Sequence, residues 1–373
     1  MAQTYQKIGD YISVLDNRNT DGSITNLMGI SIEKCYIPSV ANVIGTDLRN
    51  YKVIRKGQFA CSLMQVSRDQ RIPLAMYASA KPAIMSPAYV MFEVNRPDEL
   101  LSEYMELWFK RAEFDREASF YAVGGVRGSL DWEDFCKMKL PVPPISEQRK
   151  IVHDYQVITN RIALLRKMNT NLERQAFVLF DEFVKNSNDK KRLCDFGKVL
   201  TGKTPSTDVS EYFGDDVPFI KTPDMHGNLY IVSWESSLSR LGADSQLNKY
   251  LPEEAVIVSC IGANAGEVSL TSCIAQTNQQ INAVITKYPK FLYCALKRSR
   301  EELRALGDAG STMININKSL FENYQVVTLE PTVLKDLEEA LSPFFIAVKN
   351  NLREMVILDN LKSCMMNRFS LST

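Results

Sequence analysis

The chain has 373 residues, 45% of them hydrophobic and 24% charged, with 44 basic and 44 acidic side chains. That length leaves room for two or three domains with substantial cores. The zero net charge argues against a sequence-independent nucleic-acid binder, which usually shows a basic excess, but does not exclude a reader that gathers its positive charge on one face. No apolar run is long enough to span a bilayer, so no membrane association is expected. Residues 1–7 lack a signal-peptide core, and a cytoplasmic protein is expected. The eight cysteines are scattered without a C-x-x-C spacing, and the only histidines are His153 and His226. Neither a disulfide framework nor a metal cluster is therefore expected, and the cysteines read as buried thiols.

Residues 1 to about 139 read as a mixed domain. Short β-like runs at Tyr51–Ile54 and Tyr89–Val94 lie between turn signals. A helical pattern covers roughly Leu100 to Ala118, and a Gly-rich loop follows at 124–129. Leu140-Pro141-Val142-Pro143-Pro144 must be extended, because proline fixes φ and disfavours helix in the residue before it. The spacing then predicts a long helix to about Asn186, with Ser146 as N-cap and Glu147 at its positive end. Its seam is Ile151, Tyr155, Ile158, Ile162, Leu165, Asn169, Leu172, Ala176, Leu179 and Phe183, a heptad stripe with one polar interruption.

A second mixed domain begins near Arg192. Strands are predicted at Val217–Ile220, Ala255–Ser259 and Ile281–Ile285, and a helix over roughly Lys290 to Leu306. A small polar loop follows at 307–312. An extended segment from Val326 then leads into a second seam: Leu334, Leu337, Leu341, Phe344, Val348, Asn351, Met355, Leu358, Lys362, Met365 and Phe369. A shift of 186 residues lays the first seam on the second, Ile151 on Leu337 and Phe183 on Phe369. The chain is thus a tandem repeat of domain plus helix.

If the two helices pack antiparallel, Asn169 meets Asn351, and a buried Asn pair would fix their register at some cost in stability. Pro343 should kink the second helix or make it restart, with Ser342 as a new cap. Helices of about 35 residues are on the order of 50 Å long, comparable to roughly 15 base pairs of duplex. The expectation is a rod with a reading head at each end, related by a pseudo-two-fold axis.

At this point the chain resembles the DNA-specificity subunit of Type I restriction-modification systems. The residues that carry the resemblance are Leu140-Pro141-Val142-Pro143-Pro144-Ile145-Ser146-Glu147-Gln148, Thr201-Gly202-Lys203-Thr204-Pro205-Ser206, Asp215 to Ile220, Leu251 to Ser259, Asn278-Gln279-Gln280-Ile281-Asn282 and the Gly310-Ser311-Thr312 loop. The resemblance implies an α+β fold with two mixed target recognition domains, 1–142 and 191–328, and two long antiparallel helices in 143–190 and 329–373. It implies double-stranded DNA with a bipartite site as ligand. As partners it implies two methyltransferase subunits docked on the helices, near Pro143, Pro144, Glu147 and Gln148, and restriction subunits that join them. The Glu-Gln pair is missing from the second copy, where Val333-Leu334 stands in its place.

Gly197 to Thr204 formally matches the P-loop pattern G-x-x-x-x-G-K-[ST], but Pro205 follows at once where a helix is needed. No adenine-methylation motif of the D-P-P-Y type, no G-x-S-x-G and no H-E-x-x-H is present. A non-catalytic recognition subunit without a cofactor is expected. A coiled-coil adaptor without DNA function and a P-loop enzyme are the alternatives. Phosphate positioning needs Lys, Arg and hydroxyls, and base readout needs Arg, Asn or Gln on exposed loops. The DNA-binding candidates are Lys52, Arg55, Arg68, Arg71, Arg127 and Ser129 in the first domain. In the second they are Lys203, Thr204, Lys221, Gln279, Ser311, Thr312 and Lys318.

Overall fold

The computed structural model describes residues 5–39, 45–64, 66–122, 128–225, 227–307 and 314–371, with the side chains of 368–371 excepted. The chain divides into two compact units, Met1–Asn160 with Asn360–Thr373, and Arg161–Asp359. Both long helices contribute to both units.

The first unit begins with strand Tyr5–Lys7, a 3-10 turn at Ile8–Tyr11 and strand Ile12–Leu15. Burial of Ile8 and Tyr11 holds that turn against the core. A four-stranded antiparallel sheet follows, in the order Ile12–Leu15, Val90–Val94, Phe59–Cys61, Leu74–Met76. Its core is aromatic: Phe59 stacks on Phe92 with ring centres 5.1 Å apart, and Phe109, Phe114 and Phe135 close around them. The single helix expected over 100–118 is two, Ser102–Phe109 and Ala112–Tyr121. The break falls at Arg111, whose backbone is extended and whose guanidinium lies 4.0 Å from the ring centre of Trp108. Strand Lys139–Pro141 pairs back onto Tyr5–Lys7 and closes the unit.

The second unit repeats this plan in its opening strands, its main sheet and its closing strand. Lys190–Arg192, a helical turn at Leu193–Phe196 and Gly197–Thr201 come first. The sheet order is Gly197–Thr201, Ile281–Thr286, Val256–Ser259, Val268–Thr271, with Tyr230–Ile231 added in parallel at the edge. Strand Gln325–Val327 pairs with Lys190–Arg192 and closes the unit. The closing strands, Lys139–Pro141 and Gln325–Val327, stand at the 186-residue offset of the two seams, and so do the helix starts at Ile145 and Pro331.

The long helices, Ile145–Val184 and Pro331–Leu371, have 40 and 41 residues. The first starts one residue before the expected cap. The amides of Glu147 and Gln148 both donate to the Pro144 carbonyl, so Ser146 lies inside the first turn rather than capping it. In the second unit the two helices run antiparallel. Arg161 makes a bidentate pair with Glu354 at 2.7 and 2.9 Å, and Asn351 Nδ2 donates to Asn169 Oδ1 at 2.7 Å. Ile162, Leu165, Asn169 and Ala176 are buried on the expected seam, and so are Leu334, Leu337, Leu341 and Val348. Elsewhere the stripe moves by a residue. Phe345 and Leu352 are buried rather than Phe344 and Asn351, and Phe180 rather than Leu179 or Phe183. These helices pack on the sheet core as well as on each other, and a straight helix drifts from a strict seven-residue repeat.

Pro343 does not restart the second helix, which runs through it. Ser342 caps nothing; its hydroxyl donates to the Glu338 carbonyl one turn back. Pro343 and Glu339 are both exposed, so water can serve the Glu339 carbonyl that loses its amide partner.

Candidate nucleic-acid interface

The polar motifs of the second half converge on one end of the second unit's sheet. Strand Gly197–Thr201 leaves the sheet at Gly202, whose amide donates to the Ile281 carbonyl at 3.0 Å, and Lys203 N donates to the Thr277 carbonyl at 2.9 Å. A Cβ at Gly202 would lie 2.1 Å from the Asn278 carbonyl oxygen, so only glycine lets the two backbones cross. Gly197 is held likewise, its imaginary Cβ 2.0 Å from the Ile285 oxygen. Both glycines of the formal P-loop pattern are therefore explained by backbone crossings. Residues 202–209 form no helix, which removes the amide-lined helix end a phosphate cradle requires.

Around this crossing stand hydroxyls, amides and lysines. Thr204 Oγ1 donates to Gln279 Oε1 at 2.7 Å, joining two of the candidates. Gln246 Nε2 donates to the Lys203 carbonyl at 2.8 Å, and Lys249 Nζ to the Thr201 carbonyl at 2.9 Å. Lys221 donates through Nζ to Ser236 Oγ at 2.8 Å. Lys203 is exposed and forms no ion pair among the described residues. Lys318 sits apart, at the start of the short helix Lys318–Asn323, 3.6 Å from Glu322. Sequence reasoning had not singled out Thr222, Asn278 or Gln280 individually. The run Asn278-Gln279-Gln280 was the available signal, and its bonding depends on Thr222, 58 residues from Gln280.

The first-unit candidates do not converge in this way. Lys52 is turned inward, with Nζ donating to the Tyr89 carbonyl at 2.9 Å and 3.6 Å from Asp16, which makes it a brace within the fold. Arg68 is held by Asp69 at 2.7 and 3.2 Å, and Arg71 by Glu33 at 2.7 Å. Hydrogen bonding from Arg68 holds the Asp69 carboxyl below its ordinary range. Arg55 is exposed and Ser129 half-buried. Arg18, which was not among the candidates, donates to the Asn50 carbonyl at 2.7 Å and to Asp16 at 2.9 Å. Arg127, Ser311 and Thr312 lie outside the described residues.

The Pro-rich stretch has an internal task. Gln148 is fully buried. Its Nε2 donates to the carbonyls of Glu99 and Pro143 at 2.7 and 2.8 Å, and its Oε1 accepts the amide of Leu101 at 2.9 Å. Leu101 is the N-cap of helix Ser102–Phe109, so this amide ties the long helix to the start of a domain helix. Gln148 is therefore not available to a docking partner. Pro143 is also buried, while Pro144 and Glu147 are exposed.

In the second unit Leu334 takes the Gln148 position, and the polar clasp moves one turn along. Buried Glu338 accepts the amides of Lys290 and Phe291 at 3.1 and 2.9 Å, in the first turn of helix Pro289–Arg298. Lys290 Nζ lies 3.3 Å from Glu338 and 3.0 Å from Glu254. Burial pushes the Glu338 carboxyl up in spite of those donors. At Glu254 burial pushes the same way, but Lys290, Tyr230 and Lys349 outweigh it and hold that carboxyl low.

Two homologous sheet units, each followed by a long helix and each braced by a polar side chain from that helix, define a duplicated recognition scaffold. The family model for the Type I restriction modification DNA specificity domain matches residues 69–174 and again 186–328, and the chain belongs to that family. It is 36% identical over 185 residues to the Type I restriction enzyme HindI specificity subunit of Haemophilus influenzae, covering 48% of this chain and 40% of that protein. It is 25% identical over 179 residues to the MjaIX specificity subunit of Methanocaldococcus jannaschii, covering 46% of this chain and 41% of that protein. The chain thus spans about two fifths of the length of the curated relatives it matches. The crystal structure of a Type I restriction-modification system S subunit from M. genitalium shares the fold. Its TM-score is 0.64 at 10% identity, over 98% of this chain and 95% of that one.

Proposed function

We propose that this chain is the specificity subunit of a Type I restriction-modification complex. It carries no catalytic centre of its own; it reads a bipartite sequence in double-stranded DNA and lends that specificity to adenine methyltransferase and restriction subunits in the cytoplasm. The observation that carries this reading is the DNA specificity domain found twice in one chain. Residues 1–142 and 191–328 are the two readers. The helices of 143–190 and 329–373 join them, and the Asn169–Asn351 hydrogen bond sets the helix register.

The crossing at Lys203, Thr204 and Gln279 supports DNA contact in the second reader, because it brings cation, hydroxyl and amide together on a rigid backbone. Arg55 and the paired Arg68 and Arg71 are the first reader's candidates. Exposed apolar side chains on both helices, Leu164, Met168, Ile346 and Ile357, support docking of two methyltransferase subunits. Pro144 and Glu147 belong to the same docking proposal.

The test is to map N6-methyladenine in the DNA of cells with and without this chain. Loss of one bipartite methylation motif is the expected result. An unchanged map, with a partner methyltransferase subunit expressed, overturns the proposal.

A further inference from the structure

We propose that Gln280, oriented by Asn278 and Thr222, is a donor-only contact that seats the second unit on a DNA phosphate oxygen; this rests on the DNA-reading function proposed above. The backbone amide of Gln280 donates to Asn278 Oδ1 at 3.2 Å. That bond fixes which end of the Asn278 amide carries oxygen, so Asn278 Nδ2 is the atom that donates to Gln280 Oε1, at 3.3 Å. Thr222 Oγ1 donates to the same oxygen at 3.2 Å. An amide oxygen has two lone pairs, and both are taken. The Gln280 side chain keeps two N–H donors, which have no partner among the described residues, and no acceptor capacity.

The main chain beneath is equally fixed. The Gln280 carbonyl accepts from Cys260 N at 2.8 Å, and Asn278 N donates to the Ile220 carbonyl at 3.2 Å. Gln279 beside it is biased the same way, its Oε1 engaged by Thr204.

The consequence is chemical. A glutamine reads adenine by donating to N7 while accepting from N6, which needs both ends of one amide. Gln280 cannot do this. Its donors suit acceptors alone, and the exposed Lys203 on the adjoining crossing supplies the positive charge that favours a phosphate oxygen over a base edge. The turn then fixes where the unit sits on the duplex rather than which base it selects.

The test uses the full chain and a randomised duplex DNA library, with affinities then measured on the wild-type winner and on single-base variants of it. Gln280→Met removes the donors without adding charge, Gln280→Glu preserves both accepted bonds but removes the donors, and Gln280→Lys preserves donation. Gln280→Met should weaken binding about tenfold and Gln280→Glu by more, because it sets a carboxylate against the phosphate, each equally on every duplex, while Gln280→Lys stays within about threefold of wild type. Thermal melting reports whether each variant folds. A loss confined to one base position overturns the phosphate assignment, and wild-type affinity in both Gln280→Met and Gln280→Glu overturns the contact itself. A wild-type chain that enriches no sequence removes the DNA-reading function and this inference with it.

Discussion

Replacing Gln148 separates a structural clasp from a docking residue. The side chain is fully buried and makes three hydrogen bonds, to Glu99, Leu101 and Pro143. Gln148→Leu keeps most of the volume but leaves without their partner the amide of half-buried Leu101 and the carbonyls of buried Pro143 and of Glu99. Each unmet buried group costs about 1–3 kcal/mol, so a loss of about 3 kcal/mol is expected after partial relaxation. That is a large share of the roughly 5–15 kcal/mol that stabilises a domain. Gln148→Glu adds a second signature. The new carboxyl can accept from Leu101 but faces two carbonyl oxygens in a buried site, so its pKa rises above the ordinary value of about 4.3. A raised folded-state pKa means that its stabilisation is complete at low pH and is lost as pH rises through that pKa. Gln148→Glu should therefore be more stable near pH 5 than near pH 8, relative to wild type at the same pH. Hydrogen exchange followed peptide by peptide is the right assay, because the chain has two units and one melting curve would mix them. Protection should fall at Leu101 and through Ser102–Phe109. If Gln148→Leu retains wild-type protection there and lies within about 0.5 kcal/mol in urea unfolding, the clasp is refuted.

Three further outcomes follow from the geometry. Asn169→Leu alone should cost about 1–3 kcal/mol, because it leaves Asn351 unpaired against an apolar neighbour, whereas Asn169→Leu with Asn351→Leu should recover that stability and loosen helix register. A double-mutant cycle by thermal melting, with a structure of the double variant, checks both; unaltered register would remove the pair from that role. Hydrogen bonding from Arg161 holds the Glu354 carboxyl below the usual carboxylate range, so the pair's contribution is present at neutral pH and lost as pH falls through that lowered pKa. Arg161→Ala should abolish this dependence in an acid titration of helix content, and an identical acid transition would count against it. Glu338→Ala should cost about 3 kcal/mol, since it removes two first-turn hydrogen bonds and leaves Lys290 with Glu254 alone. Melting that matches wild type would show that the carboxylate braces nothing.

The repeat, the seams and five of the strands were legible because they are written in local periodicity and in one offset that recurs along the chain. The closing strands at Lys139–Pro141 and Gln325–Val327 were read only as extended segments, since each is three residues long and becomes a strand by pairing with a partner far away in sequence. The site was legible by composition but not by bonding. Lys52 looked free until its partner at Tyr89, 37 residues on, was known. Gln279 and Thr204 were separate candidates, and only the crossing at Gly202 joins them across 75 residues. Gln148 sat in a polar motif at the surface of the sequence pattern, and nothing local revealed that its amide turns inward.

That inward turn changes the meaning of the second copy. Read from sequence, the missing Glu-Gln pair at Val333-Leu334 suggests that the second helix docks its partner differently. Gln148, however, acts inside its own unit, and buried Leu334 fills the same position without a polar bond. The helix-start brace has not been lost; Glu338 supplies it one turn later through its carboxyl group. What remains different at the exposed surface is Pro144 and Glu147 against Glu330 and Val333, and in the next turn Lys150 and His153 against Asp336 and Glu339. A difference in partner docking between the two helices, if one is measured, should therefore track those exposed positions and be insensitive to Gln148→Leu in any variant that stays folded.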